Sequence, residues 1–213
     1  MNRVKNKNDF RKNAKQRIKQ EVKTSARCKH YPILKEILAI IKNTNSKRVL
    51  LYMPTLYEPN LLVLRRQLAR KYEPYIPLIQ NISFKMVKLR GPFYKSKFGI
   101  KENRYQNEFK KRIDVAIVPV IGVDGKMARV GHGKGYYDIF FSKLKYKPII
   151  IFVEIKDMFT KSYICEDHDI IGDFYITPTK KYLLRGKNDR DYCRIVGRSG
   201  RRWNRVFNSQ KGK

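Results

Sequence analysis

Ile113-Asp114-Val115-Ala116-Ile117-Val118-Pro119 is a nearly uninterrupted apolar run, and it is followed by Asp124-Gly-Lys-Met-Ala-Arg129-Val-Gly131-His-Gly133-Lys134-Gly135-Tyr136-Tyr137-Asp138. A strand that is apolar at successive positions, rather than at alternate ones, is covered on both faces, and such strands belong to parallel sheets packed between helices. Working outward, Pro148–Val153 and Arg48–Met53 read as two more strands of this kind. Tyr75–Leu78, Ile82–Leu89 and Asp173–Ile176 read as shorter ones. Helical spacing fills the intervals. Ile33, Leu34, Ile37, Leu38 and Ile41 repeat at i, i+3 and i+4 over Tyr31–Lys42; Leu61, Leu62, Leu64 and Leu68 mark a helix over Pro59–Lys71; a third helix is expected over Tyr136–Leu144. From Asn8 to Lys23, Phe10, Ala14, Ile18 and Val22 recur every four residues, which predicts a separate surface helix with one narrow apolar stripe. Strands separated by helices predict an α/β fold, a three-layer sandwich with a mainly parallel central sheet flanked by helices. Gly91–Asn107 reads as a polar connection.

Composition narrows the class. The 213 residues are 42% apolar and 31% charged, with 12 Gly and 9 Pro, which fits a globular protein and excludes collagen-like and low-complexity chains. The longest apolar stretches fall far short of the roughly 20 residues that cross a bilayer. The segment Arg3–Lys23 is charged with no apolar stretch behind it, so a cytoplasmic protein with no membrane partner is expected. Cys28, Cys165 and Cys193 are widely spaced and lack the paired spacing of a zinc or redox site, so they read as reduced thiols. The net charge of +31 is carried mainly at the ends: residues 1–48 hold +12, residues 49–177 hold +9 and residues 178–213 hold +10. After Thr177 the apolar period is lost, which predicts a domain over 1–177 and a basic C-terminal extension over 178–213. That extension is a candidate for nonspecific polyanion binding.

The segment after the central strand carries chemistry. Glycines at 131, 133 and 135 remove side chains and admit positive φ, so backbone N–H groups can converge on an anion. Lys134 and Arg129 add positive charge, and Asp138 can complement a helix start or hold a divalent cation. The spacing is neither that of the Walker A loop nor that of the Rossmann glycine fingerprint. A turn that merely ends a strand is the plainer reading of the glycines alone.

The run Pro119…Asp124…Arg129-Val-Gly-His-Gly-Lys-Gly-Tyr-Tyr-Asp138 resembles the signature of the 5-formyltetrahydrofolate cyclo-ligase (methenyltetrahydrofolate synthetase) family, Arg-[Leu/Ile]-Gly-x-Gly-Lys-Gly-Tyr-Tyr-Asp after a Pro-Gly-x-x-Phe-Asp strand end. The likeness continues in Lys7-Asn-Asp-Phe-Arg11, Met53…Glu58, Phe98-Gly-Ile100…Glu102 and His168-Asp169, and ends near Thr177. The resemblance implies a ligase that uses ATP and Mg²⁺ to cyclise 5-formyltetrahydrofolate to 5,10-methenyltetrahydrofolate, releasing ADP and phosphate; separately, a monomer is expected. It implies that Lys134 and Arg129 are catalytic. It places ATP on Lys7, Arg11, Arg129, Val130, Gly131, His132, Gly133, Lys134, Gly135, Tyr136 and Tyr137. The folate would meet Met53, Glu58, His132, Gly133, Lys134, Gly135 and Tyr136, and magnesium would sit on Asp138 and Asp169.

This chain departs from the family pattern at Val120, Val123, Met127 and Asn103, where the family has Gly, Phe, Gly and Pro, and His132 fills a position at which the family varies, which speaks against a general-base role for it. A second reading is a nucleic-acid-binding protein, since Tyr182, Tyr192, Trp203 and Phe207 are interleaved with Arg and Lys in the basic C-terminal stretch.

Overall fold

A computed structural model describes residues 6–80, 82–95, 101–103, 107–185 and 203–207. Phe98–Ile100, Tyr192 and Cys193 lie outside the described residues. Helix α1 spans Lys7–Asn43 and is capped by the Asn6 side chain, which accepts from the Asp9 amide at 2.8 Å. The two helices expected over 8–23 and 31–42 are thus one helix, running through Pro32. An interior proline removes a backbone donor and disfavours a helix by roughly 3 kcal/mol. That cost is offset here by two separate apolar stripes on either side of Pro32. Phe10, Ala14 and Ile18 pack on Ile121, Val130, Ile155 and Met158, whereas Ile33, Leu34, Ile37, Ile40 and Ile41 pack in the main core.

The remaining elements follow in order: β1 (Arg48–Leu50), a 3-10 turn (Leu61–Leu64), α2 (Arg65–Lys71), β2 (Glu73–Gln80), β3 (Ser83–Lys88), β4 (Phe93–Lys95), β5 (Lys101–Asn103), β6 (Val115–Pro119), β7 (Gly122–Val123), β8 (Arg129–Val130), α3 (Tyr136–Ser142), β9 (Ile149–Val153), β10 (Phe174–Ile176), β11 (Lys181–Arg185) and β12 (Asn204–Phe207). The large sheet has the order β12-β11-β10-β9-β6-β1-β2-β3 among the described residues. It is parallel from β10 through β9, β6 and β1 to β2, with β3 and β11 pairing antiparallel at either side and β12 parallel to β11. Registers such as Val49↔Val115 and Val115↔Ile149 align the apolar runs.

Every residue of β6 is buried. Val115 and Ile117 face the α1 side of the sheet with Val49, Ile151 and Phe174. Ala116 and Val118 face the α3 side with Ile150, Phe152, Tyr175 and Phe140. These two cores form the layers on either side of the sheet, in agreement with the sandwich expected from the sequence.

The stretch after Thr177 differs from the surface appendix expected of it. Lys181–Arg185 pairs with β10 as β11, and Asn204–Phe207 adds β12. Leu183 is fully buried, Trp203 packs edge-on against Phe174 at 5.6 Å, and Lys181 forms an ion pair with Glu36 of α1 at 3.2 Å. Four- and five-residue strands diluted with Lys, Arg and Asn show too little alternation to stand out in sequence, and pairing is what orders them. The antiparallel pairs β4–β5 and β7–β8 also go beyond the sequence expectation of a polar connection over Gly91–Asn107 and a glycine-rich loop after the central strand.

Candidate active site

The carboxyl ends of β1, β6 and β9 open toward one side of the sheet, the place where open α/β sheets bind ligands. After β6 the chain makes the β7–β8 hairpin. Asp124, fully buried in its turn, accepts from the amides of Lys126 and Ala128 through Oδ1 (both 2.9 Å) and from Ile164 and Cys165 through Oδ2 (3.3 and 3.2 Å). Asp124 therefore holds the hairpin to the loop before β10 and is not free for a ligand. Met127 in this turn has φ 61° and a buried side chain. The position where the family carries glycine thus keeps a left-handed backbone here, at a cost of roughly 1–2 kcal/mol, offset by burying the side chain.

The hairpin delivers Arg129 to the centre of the site. Its Nη1 binds Asp138 Oδ2 at 2.9 Å, and its guanidinium lies 5.1 Å from the centre of the Tyr137 ring. Its Nε is buried with no hydrogen-bond partner. Gly131 is required by this arrangement, because a Cβ there would come within 2.6 Å of the Arg129 guanidinium. Gly133 and Gly135 have φ of 109° and 67°, the conformations that glycine supplies without strain. Lys134 is exposed, its Nζ 5.8 Å from the Tyr136 ring centre. Val130 instead faces the core against Phe10, so only its backbone could touch a ligand.

The first turns of α1 reach this loop. Arg11 Nε donates to the Gly131 carbonyl at 2.8 Å, and Lys7 Nζ binds Asp169 Oδ2 at 2.5 Å. The loop after β9 closes the group: Asp169 also accepts from the Glu166 amide at 2.8 Å, and Asp138 Oδ1 accepts from the Ile170 amide at 3.2 Å. Lys7, Arg11, Arg129, Asp138 and Asp169, spread over 160 residues of sequence, are thereby gathered around the glycine turn. The two carboxylates expected to hold magnesium are each ion-paired with a cation of the chain. Among the described residues no group of three or more His, Cys, Asp or Glu side chains converges in the way a metal centre requires.

On the other side of Arg129 lies a cavity of about 260 Å³. Met53 and Glu58 line it together with Arg129, His132, Lys134, Gly135, Tyr136 and Tyr137, so the sequence-predicted folate residues do share one wall. Glu58 accepts from the Thr55 amide at 2.9 Å, and His132 Nε2 stands 3.7 Å from Glu58 Oε1. The opposite wall was not anticipated. Ile76, Leu78, Ile79 and Phe84 from β2 and β3 make it apolar, and Asn103 of β5 contributes a buried side chain that donates to the Lys88 carbonyl. These positions read only as strand or loop in sequence, because it takes the β2–β3 register to bring them beside β6.

Behind Glu58 is a second buried carboxyl, Glu154, at the end of β9. Burial, reinforced by the Glu58 charge and opposed by the Ile155 amide, which donates to it at 2.7 Å, holds Glu154 well above the usual carboxylate range. Tyr52 and Tyr137 are pushed up in turn, chiefly by burial and then by Glu58.

No helix among the described residues is long and apolar enough to cross a membrane. The family model for the 5-formyltetrahydrofolate cyclo-ligase family matches residues 3–169. A 5-formyltetrahydrofolate cyclo-ligase of Saccharomyces cerevisiae is 31% identical over 116 residues, which are 50% of this chain and 53% of that protein, so the chain matches about half the length of this relative. The structure of a 5,10-methenyltetrahydrofolate synthetase from Aquifex aeolicus superimposes with a TM-score of 0.66 at 22% identity, covering 85% of this chain and 94% of that one. One from Mycoplasma pneumoniae does so with a TM-score of 0.63 at 18% identity, covering 80% and 97%. At those identities the two structures speak for the fold alone. The matched span starts before α1 and ends at Asp169, so it takes in both the cationic group around the glycine turn and the cavity beside it, and on that ground the chain belongs to the 5-formyltetrahydrofolate cyclo-ligase family.

Proposed function

We propose that the protein is a ligase that cyclises 5-formyltetrahydrofolate to 5,10-methenyltetrahydrofolate at the expense of ATP. The observation that carries this reading is the position of Arg129–Tyr137 between two unlike environments, a cation-rich cluster on one side and a largely apolar cavity with one carboxylate on the other. A formamide oxygen is a poor leaving group, and a phosphoryl group turns it into a good one. Phosphoryl transfer asks a protein chiefly for alignment and charge neutralisation. Lys7, Arg11, Arg129 and Lys134 are the cations available to a triphosphate, with the amides of residues 130–135 beside them.

The reduced pterin would occupy the cavity, its N–H donors on Glu58 and its ring against Met53 and the β2–β3 wall. Magnesium belongs with the nucleotide as Mg·ATP. Asp138 and Asp169 are the carboxylates that would face it once phosphate takes over the charges of Arg129 and Lys7. The test is growth of methenyltetrahydrofolate absorbance on mixing the protein with Mg·ATP and 5-formyltetrahydrofolate, with release of one phosphate per product. Turnover that needs all three supports the reading, and a folded protein that forms no product refutes it.

A further inference from the structure

The cyclisation proposed above leaves one proton without a destination. When N10 of the folate attacks the activated formyl carbon, its lone pair forms the new N10–C bond. The C–O bond breaks with its electrons leaving on inorganic phosphate. The hydrogen that N10 carried is absent from the methenyl product, so a base must take it as a proton.

Few groups around the cavity can do so. Arg129 and Lys134 are cations and donors only. Tyr52 and Tyr137 are buried phenols held above their usual range, so they keep their protons. Glu154 does not line the cavity, and Glu58 is the one acidic side chain of the lining among the described residues. Glu58 itself accepts from the Thr55 amide and, in the reading above, from the pterin. Thr55 and Tyr136 offer only hydroxyls, which are weak bases, so the imidazole of His132 is the nitrogen base of this lining. It lines the cavity, its side chain is 53% exposed, and its Nε2 faces Glu58 Oε1 at 3.7 Å, beyond a neutral hydrogen bond but within ion-pair range. With Nε2–H turned to the carboxylate, Nδ1 is left as the acceptor.

We propose, resting on the cyclo-ligase reading, that His132 accepts the N10 proton during ring closure and that Glu58 is its positioning residue, fixing the imidazole tautomer and stabilising the imidazolium as it forms. The carboxylate attracts a charged imidazole more strongly than a neutral one, so the pair is strengthened as the reaction proceeds, which is what lowers a barrier. The sequence pattern alone speaks against a general base at the variable position 132; it is the pairing with Glu58 at 3.7 Å that assigns the role in this chain.

The experiment compares the wild-type protein with His132→Gln and His132→Ala at saturating Mg·ATP and 5-formyltetrahydrofolate. Because the side chain is half-exposed, both variants are expected to melt near the wild-type temperature. A proton acceptor contributes roughly 10²-fold or more, so kcat should fall by about that factor in both, with the Michaelis constants little changed. Added imidazole should restore turnover to His132→Ala, where a cavity is left, and not to His132→Gln. Unchanged kcat, or a loss that imidazole cannot rescue, overturns the assignment while leaving the activity in place. Absence of turnover in the wild-type protein overturns the cyclo-ligase reading and this assignment with it.

Discussion

Gly131 is defined by what stands beside it. Its missing side chain is the space occupied by the Arg129 guanidinium, so Gly131→Ala must displace a group that is also held by Asp138 and stacked on Tyr137. Overpacking of this kind costs about 1–3 kcal/mol. A displacement of about 1 Å in a positioned cation can lower turnover roughly 10²-fold. Steady-state kinetics beside a melting curve separate the two effects, and wild-type kcat in Gly131→Ala would show that the guanidinium need not be so placed. Glu154 makes a pH prediction. Its acid form is favoured in the folded protein, so its contribution to stability is complete below the ordinary Glu value of 4.5 and is lost as pH rises through the elevated folded value. Glu154→Gln keeps the shape and cannot ionise. Its melting temperature should exceed that of the wild type at neutral and alkaline pH, with the gap closing toward pH 4.5, and parallel melting profiles would contradict this. The run Arg129–Asp138 was legible at this scale because its spacing is distinctive. Glu154 was not, since a glutamate after an apolar strand reads as the point where the chain returns to water.

Among the elements, α1 carries two duties that its sequence presents as two helices. The stripe Phe10–Ala14–Ile18 fixes its first half to the hairpin β7–β8, and that contact places Lys7 and Arg11 at the glycine turn. The approach is close: a Cβ on Gly122 of β7 would lie 2.6 Å from the Phe10 ring and 2.5 Å from the Met158 carbonyl. Gly122→Ala should therefore lift the start of α1, costing about 1–3 kcal/mol, and raise the Michaelis constant for Mg·ATP several-fold more than that for the folate. Equal effects on both constants would mean that the hairpin, and not the helix, had moved. The period-four stripe gave the buried face of this half correctly. Continuity through Pro32 could not be read, because proline ends most helices and only the packing of Ile33–Ile41 against the sheet outweighs that tendency here. Strands β6, β9 and β1 stood out because parallel strands buried on both faces are compositionally distinct; the shorter β4, β5, β7 and β8 acquire their structure from partners.

At the scale of the whole molecule the decisive stretch is the one that looked dispensable. Tyr182, Leu183 and Trp203 are buried, each stabilising by about 1.5–3 kcal/mol, and truncation would also remove the Lys181–Glu36 ion pair. Against a total stability of about 5–15 kcal/mol, truncation after Thr177 should yield protein that is insoluble or lacks a cooperative melting transition. A soluble truncated chain melting at the wild-type temperature would show that β11 and β12 are ornamental. The mainly parallel sheet and its layers were legible in the pattern of strands and helices, whereas the closing edge was hidden by its charge. The Glu36–Lys181 pair has a consequence in time. The ribosome makes α1 first and β11 about 145 residues later, an interval of roughly 7–30 s at ~5–20 residues per second. Until then the nascent helix presents Ile33, Ile37 and Ile41 without the far edge of the sheet. The far edge of the sheet is thus added only once β11 and β12 have been made, after the strands it closes.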